Sequence, residues 1–255
     1  MKWVLPPWYE IGEAGAAIVL GAVVSLRLWV LVDHGSRAAA ELRRSLRLPG
    51  ARNVLWVLAG LCVLFMAAEE VLDVGSDESL ANLDVLAREA GRVLATSSLI
   101  HAAARLVTDI TGIGLVTAIA SAALCLSVLR HRREALTIVA GPLSAWVLSG
   151  LLKLAFAVPR PHSSTAGFPS GHVVTTLVGV GLLAWCLGRL ASPGRRRAIY
   201  AGAAAVALLT GVARIIVDAH WLSDVIGGLA AGTVWLNVVI LVASRSCRED
   251  ATPSS

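Results

Sequence analysis

Charge is scarce in this chain. Only 15% of its 255 residues are charged and 56% are hydrophobic, with a mean hydropathy of +0.74. An ordinary soluble domain carries about 25% charged residues. The shortage argues against a soluble globular enzyme. It also excludes a disordered chain, which needs low hydrophobicity and high net charge. Lysine is nearly absent: Lys2 and Lys153 are the two lysines among 22 basic residues. The four cysteines, Cys62, Cys125, Cys186 and Cys247, contain no CxxC pair, and three lie inside apolar runs. They read as small buried apolar residues, not as a metal site or disulfide framework. The 23 glycines show no three-residue period, which excludes a collagen-like fibre. No cluster suits a metal, and no cofactor is expected.

What is present is a series of long apolar runs. They cover about Ala14–Val32, Val54–Leu72, Ile110–Leu129, Ala135–Val158, Val173–Leu190, Ala198–Val217 and Val225–Ala243. A membrane helix needs about 20 apolar residues. The first run follows Pro6-Pro7-Trp8-Tyr9-Glu10 instead of a positive stretch, so it reads as a retained helix. Arg27 weakens it as a span, at about 2.5–3.5 kcal/mol near the centre of an inserted helix. Residues 73–107 are mixed, with Leu80, Leu83, Leu86, Val93 and Leu94 near helical spacing. That pattern predicts one or two amphipathic helices at the membrane surface or under a lid.

The formal net charge of +5 comes from arginines clustered between the runs. Arg37 to Arg52, Arg130 to Arg133, Arg195 to Arg197 and Arg245 to Arg248 fall in alternate connectors. This is the positive-inside pattern, not a nucleic-acid surface. It gives one topology: seven runs, N-terminus outside, C-terminus in the cytoplasm. The division follows as 1–53, an N-terminal hydrophobic helix and Arg-rich cytoplasmic loop; 54–244, a membrane domain with 73–107 extracytoplasmic; and 245–255, a cytoplasmic tail. Neither an internal repeat nor an obligatory protein partner is evident.

Three polar clusters fall at span ends on the same, outer side. Lys153 is followed by Arg160-Pro161, Pro169-Ser170-Gly171-His172 opens the next span, and Arg214, His220 and Asp224 bracket the last short connector. Each residue alone has a bland reading as an interfacial anchor, a helix cap or a structural ion pair. The ordered set does not. Lys153 and Arg160 are seven apart, so they share a face if the helix persists, with Pro159 and Pro161 ending it and aiming Arg160 inward. Three cations in a low-dielectric pocket suit a phosphate dianion. Ser170 and Gly171 add a hydroxyl and backbone N–H groups at a helix start. His172 and His220 supply a nucleophile and a proton donor, and Asp224, one turn after His220, can hold its tautomer.

These motifs resemble the phosphatidic-acid phosphatase type 2 / haloperoxidase superfamily, whose signature reads K-x6-RP, PSGH and SR-x5-H-x3-D. The resemblance covers about Ile110 to Ala243, with Val54–Leu72 matching the family's first core span. It implies an all-α polytopic membrane helix bundle: a six-helix phosphatase core plus an extra N-terminal hydrophobic helix. It further implies that Lys153, Arg160, Arg214, Ser170 and the Gly171 amide bind phosphate, that His172 is the general acid, that His220 is the nucleophile and that Asp224 orients it. No metal is implied. Ala213 stands where the family usually has Ser, read as loss of a secondary hydrogen bond. Asp218 is an unusual neighbour, expected to raise the His220 pKa if it faces the pocket. His162 is expected to be an exposed loop residue.

The expectation is an integral membrane enzyme of the plasma membrane with its site outside. It would hydrolyse a lipid phosphate monoester or diphosphate without metal, through a phosphohistidine. Candidate substrates are a prenyl diphosphate such as undecaprenyl diphosphate, phosphatidylglycerophosphate or phosphatidate, reached from the lipid bilayer. The alternatives are a lipid phosphotransferase using the same intermediate, or a non-catalytic headgroup-binding or transport protein. A vanadate haloperoxidase shares the signature, but such enzymes are soluble and larger.

Overall fold

A computed structural model describes residues 56–57, 60–61, 63, 80–128, 131–161 and 163–249. The first predicted run and Arg27 lie outside the described residues, as does most of the second. The described residues of that second run, Trp56, Val57, Gly60, Leu61 and Val63, are helical.

Among the described residues the chain is almost entirely helical. Helices α1 (Leu80–Ala95) and α2 (Ser98–Asp109) meet at Thr96-Ser97, bent by 113° over Leu83–Ala95 and Ser98–Gly112. The Ser97 side chain accepts from the Ile100 amide and so caps α2. A π-helical turn, Ile110–Gly114, carries α2 directly into α3 (Leu115–Val128). Helix α4 is Arg132–Phe156, α5 Gly171–Leu190, α6 Pro193–Ile216 and α7 Leu222–Glu249. Among the described residues four helices are long and apolar enough to cross a membrane: α4, α5, α6 and the Leu222–Ser244 part of α7.

The sequence placed several boundaries differently. The third run was predicted from Ile110, yet the helix is continuous from Ser98, because the π turn widens the ladder instead of ending it. The Pro193-to-Arg197 stretch was read as a connector. It forms the first turn of α6, with Pro193 where a missing N–H costs nothing. Helix α7 runs to Glu249, into the stretch read as tail. Helix α4 stops at Phe156 and does not persist to Arg160. Ala157 adopts a left-handed φ of 51° and caps it on the Lys153 carbonyl. The chain then forms a small antiparallel hairpin, β1 (Pro159–Arg160) with β2 (Ser163–Ala166).

Short connectors make α5, α6 and α7 successively antiparallel, and the hairpin between α4 and α5 turns the chain back in the same way. The ends of α4 and α6 and the starts of α5 and α7 therefore share one end of the bundle. Helix α5 is central. Its Val174, Val178 and Leu182 are buried with Ile138 and Ala145 of α4 and Ala231 of α7. Helices in lipid gain little from hydrophobic contact with each other, so close approach at small residues matters more. Gly141 faces Leu182 and Gly211 faces Val225 with no room for a Cβ. The outer surface is apolar, with Leu99, Val116, Leu136, Leu154 and Leu190 exposed, as lipid-facing residues are.

Candidate active site

The predicted site residues converge at that shared end of the bundle. A cavity of about 990 Å³ is lined there by Lys153, Arg160, Gly171, His172, Arg214 and His220. It continues between α3 and α4 along Leu115, Ile119, Val139, Leu143 and Trp146. One end is thus polar and cationic, and the other suits a hydrocarbon chain.

Each motif is placed by identifiable contacts. Lys153 sits one turn from the end of α4. A Cβ added to Gly171 would lie 3.7 Å from Lys153 Nζ and 3.0 Å from Ser149 Oγ, so the lysine head reaches the first residue of α5. Arg160 arrives by the hairpin and not by helix continuation. Val158, preceding Pro159, is disfavoured from helical geometry, and the Ala157 cap has already turned the chain. The Arg160 Nε–H donates to the Ala166 carbonyl at 3.4 Å, and the Gly167 amide donates to the Val158 carbonyl at 2.6 Å, closing the loop.

Phe168 anchors the second motif. It is fully buried, edge-on to Phe156 at 5.2 Å between ring centroids, and its peptide bond to Pro169 is cis. The Ser170 amide then donates to the Asp224 carbonyl at 2.9 Å, joining the start of α5 to the start of α7. Ser170 is the residue before the helix, so the amides of the first turn have no helical acceptors and point toward the cavity end. His172 Nε2 would lie 3.6 Å from a Cβ at Gly112, so the π turn forms the opposite wall.

The third motif is a tight buried pair. His220 Nδ1 lies 2.9 Å from Asp224 Oδ2, and the same oxygen accepts from the Trp221 amide at 3.2 Å. Asp224 thereby reaches back from the first turn of α7 to the residue before it, as the acidic member of a capping box does. Its carboxylate also meets the Gly167 backbone, where a Cβ would stand 2.8 Å from Oδ2. His220 is 3% exposed and Asp224 is fully buried. Burial pushes the His220 pKa below its usual 6.5. Asp224 opposes that shift, and the Arg214 and Arg160 charges reinforce it. The imidazole is therefore neutral at pH 7. With Nδ1–H committed to the carboxylate, Nε2 holds the lone pair.

Three buried polar atoms at the site, the donors Ser170 Oγ and Arg214 Nε and the acceptor Asp224 Oδ1, have no hydrogen-bond partner among the described residues. Leaving such a group unpaired costs about 1–3 kcal/mol. A bound oxyanion would satisfy both donors.

Asp218 does not line the cavity, so the condition for its raising the His220 pKa is not met. Its carboxylate pairs with Arg88 at 2.8 Å and Arg92 at 3.4 Å on α1. Ala213 is buried, and His162 lies outside the described residues. The sequence reading missed Ser149, Gly112 and the α1 charges. Ser149, one turn before Lys153 on the same face, carried a signal in its i, i+4 spacing. Gly112 carried none.

The family model for the PAP2 superfamily matches residues 134–247, which hold all three clusters. Residues 134–247 are a PAP2 superfamily unit. The fold agrees over a wider stretch. The crystal structure of a transmembrane PAP2-type phosphatidylglycerolphosphate phosphatase from Bacillus subtilis superposes with a TM-score of 0.62. It is 18% identical and covers 78% of this chain and 98% of its own. No curated protein matches the chain. The PAP2 unit and the apolar helices together make this an integral membrane protein of phosphatase fold.

Proposed function

We propose that this protein is a metal-independent lipid phosphatase acting through a phosphohistidine. The observation that carries the reading is His220, held by Asp224 at 2.9 Å, in a cavity shared with His172 and three cations. Lys153, Arg160 and Arg214 hold the phosphate oxygens, with Ser170 Oγ and the first α5 amides. His220 Nε2 attacks phosphorus. The P–O bond to the lipid breaks, and His172 gives its proton to the leaving oxygen. His172 then takes a proton from water, the hydroxide attacks phosphorus, and the N–P bond breaks to release phosphate. Asp224 stabilises the imidazole as positive charge develops on it.

The substrate class is a lipid phosphate monoester or diphosphate of the phosphatidylglycerophosphate, phosphatidate or prenyl diphosphate type. The apolar extension between α3 and α4 supports a lipid over a soluble ester. Residues 54–244 would be the phosphatase domain, preceded by the 1–53 segment and followed by the 245–255 tail. Arginine placement supports a site outside and a C-terminus in the cytoplasm, and the proposed location is the plasma membrane.

The test is phosphate release by purified, detergent-solubilised protein across a panel of lipid phosphates and diphosphates. EDTA is present and His220→Ala is run alongside. Release that persists in EDTA and disappears in the variant supports the reading. Full activity in His220→Ala refutes the mechanism.

A further inference from the structure

Helix α1 stands apart from the signature, yet its polar face closes on it. Asp84, Arg88 and Gly91 recur at helical spacing on one side of α1, while Leu83, Val85, Leu86 and Val93 are exposed on the other. The polar side faces the protein. Asp84 accepts from the Ser223 amide at 2.7 Å and from the Ser223 hydroxyl at 2.6 Å. Ser223 precedes Asp224, and a carboxylate at the start of α7 is also favoured by the helix dipole. Arg88 donates through Nε to Asp218 Oδ1 at 2.8 Å and through Nη2 to the Pro161 carbonyl at 3.4 Å. Its guanidinium lies 5.0 Å from the centre of the Trp221 ring. Trp221 Nε1 in turn donates to the Pro159 carbonyl at 3.2 Å. Helix α1 is seated closely: a Cβ at Gly91 would lie 3.0 Å from the Ile215 carbonyl oxygen.

Arg88 therefore touches residues on both sides of His220, at 218 and 221, and the residue after Arg160. These are the parts of the site on connectors instead of helices. Asp218 holds a φ of 53°, where a non-glycine residue costs energy unless its surroundings fix it. Arg88 and Arg92 both grip its side chain.

We propose that Arg88 and Asp84 are positioning residues, and that α1 is a clasp fixing the His220 connector against the Arg160 hairpin. The role rests on the phosphatase reading for its consequence but not for its geometry. In-line attack needs His220 Nε2 about 3–3.5 Å from phosphorus, and a misplacement of about 1 Å costs about a hundredfold. The clasp thus acts on turnover. Lys153 and Arg214, carried on α4 and α6, stay in place without it.

The full-length detergent-solubilised protein is assayed with p-nitrophenyl phosphate and with dioleoyl phosphatidate in mixed micelles. The variants are Arg88→Ala, Arg88→Lys, Asp218→Gly and the Arg88→Ala/Asp218→Gly pair. Glycine suits the left-handed φ, so that change removes the carboxylate without straining the turn. Arg88→Ala and Asp218→Gly should each lower kcat by about tenfold to a hundredfold on both substrates, with KM nearly unchanged. Arg88→Lys should recover part of the loss, and the pair should lose less than the product of the single changes. Unchanged kcat overturns the proposal. So does a loss confined to KM for the lipid, which marks a lid, or full additivity of the pair. Hydrogen exchange separates this outcome from failure of the phosphatase reading. If the wild type releases no phosphate from either substrate, the clasp still predicts faster exchange in residues 215–224 of Arg88→Ala. Unchanged exchange there overturns it.

Discussion

Replacing Asp224 by Asn tests the centre of the proposed mechanism with little change of shape. The backbone carbonyl of Asp224 still accepts from the Ser170 amide, so the α5–α7 junction survives. What is lost is the negative charge 2.9 Å from His220 Nδ1. A hydrogen bond to a charged group is worth about 1.5–3 kcal/mol, or roughly tenfold to 150-fold in rate if it strengthens in the transition state. The amide can also present N–H to the ring and shift the imidazole proton to Nε2, which blocks the attacking lone pair. The combined expectation is a fall in kcat of about 10²–10⁴. The pH profile carries a separate signature. Asp224 raises the His220 pKa against burial, so removing its charge lowers that pKa further. The acid limb of kcat/KM should move to lower pH in Asp224→Asn, while the plateau drops. Because both proteins are assayed with one substrate, ionisation of the ester is common to both profiles. A variant keeping a third or more of wild-type kcat, or an acid limb that moves up, would refute the assignment of His220 as the Asp224-oriented nucleophile.

Other expectations follow from the same geometry. Arg214→Lys keeps the charge but loses the planar fork and the buried Nε donor, so phosphate release should fall at least tenfold, a common cost of about 1.4 kcal/mol; activity equal to wild type would show that a point charge suffices. Gly167→Ala would place a Cβ 2.8 Å from Asp224 Oδ2 and should lower kcat although no charged group is replaced, checked by steady-state assay. Stability carries the linkage of His220. Its folded pKa lies below its unfolded 6.5, so the unfolded state binds the proton more tightly and stability falls as pH drops below 6.5. Between pH 7 and pH 5 the thermal midpoint of the wild type should fall further than that of His220→Ala, and equal falls would contradict a buried neutral imidazole.

The sequence by itself determined the membrane setting and the candidate chemistry. Apolar length is a local property, so α4 to α7 were visible before any packing was known. The three charged clusters were visible for the same reason: polar groups at apolar span ends are costly and stand out. Their agreement on one side of the predicted topology anticipated the shared cavity.

Packing decided the rest. Lys153 and Arg160 share one helical face only if the helix persists between them. The left-handed Ala157 ends that helix, and a hairpin returns Arg160 instead. Asp218 would have acted on His220 only if it faced the pocket, but Arg88 on α1, 130 residues away in the chain, holds its carboxylate instead. No local window contains that pairing. The amphipathic pattern of residues 80–95 was legible, but its sense was not. In water the apolar side would face the protein. In a membrane protein the lipid takes the apolar side, so Asp84 and Arg88 face inward onto the catalytic connector.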